Sequence, residues 1–233
     1  RTWGETAAWR IGVYDGDSFD SAEGDPHPTR HGLHYRVGGD QGWFVITEAE
    51  FAPAARTRVK LGAWLHTATF ADLYADASGR PFATTGDEPR GHDGNHGAYV
   101  ALEQTVAGRP GEPGAVQAHV RAGFAPADRS ALSSAIDAGV AWTGPLPGRP
   151  ADVLAVGYAR GNFSDDYAAA ARLADPTVAA PDFEQVLELT YHVELTPRLT
   201  LQPDLQFIRH PGGTPAPRDI VAAFLRLSAA FCS

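Results

Sequence analysis

Between residues 185 and 207 the chain alternates apolar and polar positions with a period of two. Leu187, Leu189, Tyr191, Val193 and Leu195 interleave with Glu188, Thr190, His192 and Glu194, so one face is apolar and the other ionisable. After the tripeptide TPR the pattern resumes: Leu199, Leu201, Leu205 and Phe207 oppose Thr200, Gln202, Asp204 and Gln206, with Pro203 taking one apolar place. This predicts a β-hairpin closed by a very short turn. A soluble half-buried sheet alternates in the same way, so strand length and repetition decide between the two settings. A strand that crosses a bilayer needs about 9 to 11 residues, against about 5 to 6 for an ordinary one, and these strands have the longer length.

The same pattern predicts ten strands, over residues 8–14, 43–51, 59–70, 98–106, 116–124, 134–143, 153–163, 185–195, 199–207 and 220–231. In the first, Trp9, Ile11 and Val13 oppose Arg10 and Tyr14; in the third, Val59, Leu61, Ala63 and Leu65 oppose Lys60, Trp64 and His66. The connections alternate in length. APAART, GRPGEPG, GPLPGRPAD and TPR form the short set; residues 15–41, the run up to His96, and residues 164–182 form the long one, with APADRS and HPGGTPAP as its milder members. Sorting by parity in this way is the habit of a membrane barrel, whose last strand also finishes on the short-turn side, as here. The expected fold is therefore all-β: one transmembrane antiparallel up-and-down β-barrel domain over residues 1–233, apolar faces toward lipid and ionisable faces toward a water-filled lumen. Trp9, Trp43, Trp142 and Tyr158, near strand ends, suit the aromatic girdles of the two interfaces.

Composition narrows the setting further. No window holds 18 consecutive apolar residues, which excludes helical spans but leaves a barrel open, because alternation dilutes its lipid-facing residues. A net charge of −9 argues against nucleic acid as a partner. The single cysteine, Cys232, makes no intramolecular disulfide, and no zinc-type spacing exists. Methionine is absent even at position 1, so the chain is expected to begin at a processing site or to belong to a longer product.

Several phrases, in order along nearly the whole chain, resemble the carbohydrate-selective porins of the OprB type from Gram-negative outer membranes. They are GVYDGD, RHGLHYRVGGDQG, VKLGAWLHTATFAD, HGAYVALEQ, TGPLPGRPADVLAVGYAR, FEQVLELTYHVELTPRLTLQPDLQFIRHPGG and the closing LRLSAAF. The resemblance implies a barrel of about sixteen strands, a homo-trimer, that passes monosaccharides by passive diffusion in the cell outer membrane without a cofactor. Its partners would be small sugars and outer-membrane lipids. Ten strands cover only part of such a barrel, and an unpaired edge in hydrocarbon costs several kcal/mol per open backbone group; the expectation is the C-terminal part of a longer barrel. The family's terminal aromatic would be Phe231, although Cys232 and Ser233 follow it.

With the apolar faces on lipid, the lumen would be lined by Arg10, Tyr14, Glu48, Glu50, Lys60, Trp64, His66, Tyr99, Glu103, His119, Arg121, Asp137, Glu188, His192, Glu194, Asp204 and Arg226. Sugars carry hydroxyls all round and an apolar ring face, so a sugar path needs rows of donors and acceptors plus aromatic platforms, and acid and base on one lumen set up a transverse field. Residues 15–41 and 75–95 are the candidate constriction loops. Metal sites are not expected. Asp15, Asp17 and Asp20 in DGDSFD lack the acid a calcium loop needs at its twelfth position, which is Pro26, and so read as a turn with Asx chemistry. Glycines and prolines around His92 and His96, and around His27, His31 and His34, argue for loop rather than the helix a zinc spacing would use. Two other barrel classes compete with the pore: a plugged structural barrel and a rim-active hydrolase.

Overall fold

A computed structural model describes residues 2–3, 6–17, 41–215 and 218–231. Its strands are β1 (Thr2–Trp3), β2 (Ala7–Asp15), β3 (Trp43–Ala54), β4 (Thr57–Asp76), β5 (Pro89–Ala107), β6 (Val116–Phe124), β7 (Leu132–Thr143), β8 (Val153–Phe163), β9 (Phe183–Thr196), β10 (Leu199–Arg209) and β11 (Ile220–Ala229). They form a single antiparallel sheet in chain order, β1 to β11, each strand bonded to its sequence neighbours. Two short helices, α1 (Phe82–Thr85) and α2 (Asp165–Ala174), and a 3-10 turn (Pro211–Gly213) occupy the connections. The ten expected strands are all present, joined by the two-residue β1. Residues 18–40, which carry Asp20, His27, His31, His34 and most of one expected constriction loop, lie outside the described residues.

Register explains how the faces are kept. Leu187 stands opposite Phe207 and Leu189 opposite Leu205, while Glu188 meets Gln206 and Thr190 meets Asp204. Each ladder passes that parity on: Leu189 faces Val156, Val156 faces Val140, and Ile136 faces Ala122. A slip of one residue anywhere would turn a whole strand inside out. The burial is the reverse of a soluble protein's. Among the described residues the buried apolar side chains are four alanines, Ala75, Ala101, Ala115 and Ala168, whereas Ile11, Phe51, Leu61, Val140, Leu187, Leu205 and Leu225 are exposed. Without an apolar core, the apolar face is satisfied only by a lipid solvent.

The sheet curls toward its ionisable face. One trough on that side is lined both by Thr6 and Ala52 near the first strands and by Glu188 and Thr190 of β9. In a flat sheet with strands about 4.8 Å apart, β3 and β9 would lie roughly 30 Å from each other. The connection between β8 and β9 also crosses to the same side of β4, where α2 packs. Among the described residues the two end strands do not bond to each other, so the arc is open.

The expected long loop before His96 is largely strand. β4 and β5 continue as a tall hairpin, with Phe70 opposite His92 and Asp76 opposite Pro89, leaving residues 77–88 as the true connection. Their pairing slips by one between His66–Asn95 and Thr69–Asp93, where Gly94 adopts φ 85°. The slip flips the parity of β5, so that His92 and Asn95 share a face although three residues apart. Asp76 ends the ascent by accepting from the Ser78 N–H at 2.8 Å, the Ser78 hydroxyl at 2.6 Å and the Arg80 N–H at 2.9 Å. Farther along, β11 stops at Ala229 rather than 231.

Candidate functional site

The inward face of β2 to β7 carries a belt of charges held by register. Arg10 is paired with Glu48 and diagonal to Glu50, and its Nη1 lies 3.2 Å and 2.6 Å from their carboxylates. Glu50 also accepts from Arg58 Nε at 2.9 Å, and Lys60 Nζ reaches Glu103 at 2.9 Å. Tyr99 donates its hydroxyl to Glu48 at 2.8 Å. On β6 and β7, Arg121 Nε holds both oxygens of Asp137, at 2.8 Å and 3.0 Å, and His119 Nε2 is 3.3 Å from the same carboxylate. Exposed pairs of this kind stabilise a fold by about 0–1 kcal/mol each. Their larger consequence is positional: donors and acceptors stand in fixed alternating columns.

Above the belt lies an aromatic shelf. Tyr14, Phe44 and Trp64 follow one another with ring centroids 6.2 Å and 5.9 Å apart, and His66 meets Phe70 edge-on at 5.0 Å. The His66 Nδ1 accepts the Ala68 N–H at 3.2 Å, so its proton sits on Nε2 and is donated to the Gly16 carbonyl at 2.8 Å. Three rings lie flat against the wall because the residue opposite is glycine. A Cβ at Gly62 would fall inside the Tyr99 ring, one at Gly97 would collide with the Trp64 indole, and one at Gly139 would stand 2.7 Å from His119 Cε1. Glycine across from an aromatic ring is a known sheet device; here it turns ring faces, rather than edges, toward the lumen.

The upper mouth is gathered by three connections. Asp72 of β4 accepts from Arg90 Nη2 at 2.6 Å, His92 Nε2 at 2.9 Å and the amides of Tyr74 and Ala75. The β6–β7 connection docks here: Asp128 accepts from Arg129 Nε at 2.8 Å, and its carbonyl accepts the Leu73 N–H at 2.7 Å. The Arg129 guanidinium holds the Asp128 carboxyl below its usual range. On α2, capped by the Ser164 hydroxyl accepting from Tyr167 N–H, burial and then the charges of Asp72 and Asp128 push the Asp166 carboxyl upward. The Asp72, His92 and Asp128 ligand atoms lie within 4.8 Å of one another, but both carboxylates are already engaged by arginine, and the group reads as a loop latch. His96 stands opposite Leu65 on the outward parity, so it shares no site with His92. Asp17 N–H donates to Asp15 Oδ1 at 3.2 Å, an Asx turn. Among the described residues the connection that crosses to β4 is residues 164–182; of the segment 75–95, residues 75–76 and 89–95 belong to the hairpin and 77–88 form its connection.

By register all seventeen residues singled out in the sequence fall on one face of the sheet, opposite the exposed aliphatic side chains of β2 to β10; on β11, Ile220 and Phe224 share the parity of Arg226 and are exposed as well. The structure links those of β2 to β7 through the contacts above. It does not link His192, Glu194 and Arg226: among the described residues no ion pair joins them, and Arg226 faces Gln202. Glu188 accepts from Gln206 at 2.9 Å, and Asp204 stands on the diagonal. Sequence reasoning passed over Arg58, Phe44, Phe70 and the glycines. Arg58 lay one residue before the expected strand, and Phe44 and Phe70 were not counted among the aromatic platforms of the inward face. Along the belt the trough has a volume of about 1160 Å³, with Arg58, Glu103, His119, Arg121 and Glu188 in its wall.

A curled antiparallel sheet that exposes its apolar side chains outward and keeps rows of charge inward is the wall of a membrane pore. The chain belongs to the OprB family of carbohydrate-selective porins, whose family model matches residues 1–231, and so to the Gram-negative outer membrane. It is 28% identical to Porin B of Pseudomonas aeruginosa over 190 residues, 74% of this chain and 40% of that protein. A structure of Pseudomonas putida OprB determined at high pH has the same fold, with a TM-score of 0.82 at 23% identity over 97% of this chain and 56% of that one. The chain thus spans less than two thirds of either relative's length.

Proposed function

We propose that this chain forms part of the wall of a pore through which small sugars diffuse passively, and that the seventeen inward residues, with Arg58, Phe44 and Phe70, line the path. The carrying observation is the pairing of flat ring faces with ordered charge columns on one wall. The apolar ring face of a sugar stacks on Tyr99 or Trp64, while its hydroxyls exchange water for the carboxylates and guanidiniums of Glu48, Arg10, Glu103 and Arg121. Each contact is open to water, so binding stays weak and release fast, as conduction requires. The paired charges face solutes with donors and acceptors together, which suits a neutral polyol better than an ion.

The test is planar-bilayer conductance of the complete barrel, titrated with glucose and then with a disaccharide. The expected result is stepwise channels whose current falls saturably with glucose. A folded barrel that gives no channels refutes the pore, and channels indifferent to every sugar refute the sugar path.

A further inference from the structure

Outside the lumen, the upper rim of β8 to β10 carries cations where a lipid-facing wall has no use for them. The last outward apolar row on these strands is Tyr158, Leu187 and Phe207; one pair higher, on the same outward parity, stand Arg160, Gln185 and Arg209. Arg160 Cζ lies 3.8 Å from the centre of the Phe183 ring and Arg209 Cζ 5.6 Å from it. His210 stacks on the same ring at 4.5 Å, and its Nδ1 is tied to Asp182 Oδ1 at 2.9 Å. The Arg160 Nε donates to the neutral side chain of Asn162 at 2.8 Å. Among the described residues no carboxylate pairs with either arginine, whereas the inward Arg10, Arg58 and Arg121 all have one.

We infer that this rim is a binding site for the phosphate of an outer-leaflet glycolipid, a phosphorylated saccharide headgroup whose acyl chains run down the apolar row below. Ring contact holds the Arg160 guanidinium over Phe183 and the Asn162 bond occupies its Nε, which leaves the two Nη groups as the paired donors that take phosphate oxygens. The height fits as well: the arginines follow directly on the last apolar row, where hydrocarbon gives way to headgroups. Facing away from the lumen, they cannot touch a permeating solute. The inference rests on the outward orientation of this rim and is independent of the sugar path.

Native mass spectrometry of the complete barrel, exchanged into neutral detergent, tests it with bis-phosphorylated lipid A as the ligand. Dephosphorylated lipid A, phosphatidylglycerol and inorganic phosphate serve as separate arms. Bis-phosphorylated lipid A is expected to bind the wild type tightest, with affinity falling on the order of tenfold in the Arg160→Gln/Arg209→Gln double variant. Arg160→Lys/Arg209→Lys should recover part of the loss, and glucose-blocked conductance should be unchanged in both. Equal binding by the glutamine variant overturns the site. Equal binding of dephosphorylated lipid A overturns the phosphate, and retention of inorganic phosphate or phosphatidylglycerol in preference to lipid A overturns the glycolipid.

Discussion

Replacing Leu189 by arginine separates the two faces in energy. Leu189 points outward between Val156 and Leu205 and is 47% exposed. The polar rim on its own strand is Gln185, four residues higher. At about 3.3 Å per residue that is about 13 Å of strand, or about 10 Å of height at a tilt of about 40°. Half of an apolar belt about 25 Å tall is about 12 Å, which sets Leu189 close to the midplane, where an arginine costs about 2–4 kcal/mol. The control is its neighbour. Glu188 faces the lumen, so Glu188→Arg meets water and should change stability by less than about 1 kcal/mol. Urea unfolding of both variants of the complete barrel in phospholipid vesicles, followed by tryptophan fluorescence, measures the difference. Equal stabilities refute the assignment of a lipid face, and a larger cost at Glu188 means that the faces are inverted.

Arg121→Ala and Glu188→Ala should shift the reversal potential in opposite directions, toward cations for the first and toward anions for the second, while both barrels insert; unshifted potentials in both would remove these residues from the path. Gly62→Leu should push the Tyr99 ring off the wall and lower single-channel conductance, whereas Gly123→Leu, whose Cβ has 3.7 Å of clearance, should have a smaller effect; equal conductances refute the flat-ring account. Asp166 has a raised carboxyl pKa in the docked state, so its contribution to docking α2 is present when it is protonated and is lost as pH rises through that value. Asp166→Asn should therefore slow amide exchange in α2 at pH 7 relative to wild type, with the difference closing as pH falls toward about 4; faster exchange in the variant would contradict the sign.

Which residues share a face was legible because a strand's side chains alternate whatever its neighbours do, and because here the apolar face is the exposed one. Leu187 to Leu195 and their partners needed no tertiary information. What the pattern could not hold was anything that breaks parity. HDGNH is polar on both faces and contains the Gly94 slip, so β5 looked like loop down to His96. Helix α2 did announce itself, with Ser164 as N-cap, Asp165 and Asp166 in its first turn and Arg172 in its last; its composition, rich in alanine and aspartate, was read as loop instead. Its position against β4 depends on the curl of the whole sheet, which no local window contains. The flat rings depend on cross-strand register, which sets Gly62 opposite Tyr99 rather than Ala101.

The charge on the inner wall is distributed unevenly, and the unevenness bears on selectivity. On β2 to β7 the residues Arg10, Arg58, Lys60 and Arg121 face Glu48, Glu50, Glu103 and Asp137, four charges of each sign, engaged within about 4 Å. Beyond a Debye length of about 8 Å such pairs cancel for a passing ion, yet each still offers a hydrogen-bond donor or acceptor at contact distance. On β9 to β11 the inward ionisable groups are Glu184, Glu188, Glu194 and Asp204 with Arg226 and His192, an acidic excess without ion pairs among the described residues. A neutral wall facing an acidic one gives a transverse field that aligns dipolar solutes without rejecting them. It also predicts the sense of each shift: neutralising Glu188 lowers the acidic excess by one charge, whereas removing a cation of the paired belt leaves its partner uncompensated, a change of one charge of the opposite sign. Arg121→Ala, which leaves Asp137 uncompensated, and Glu188→Ala should therefore shift the reversal potential by comparable amounts in opposite directions, and shifts of the same sign would refute the charge account.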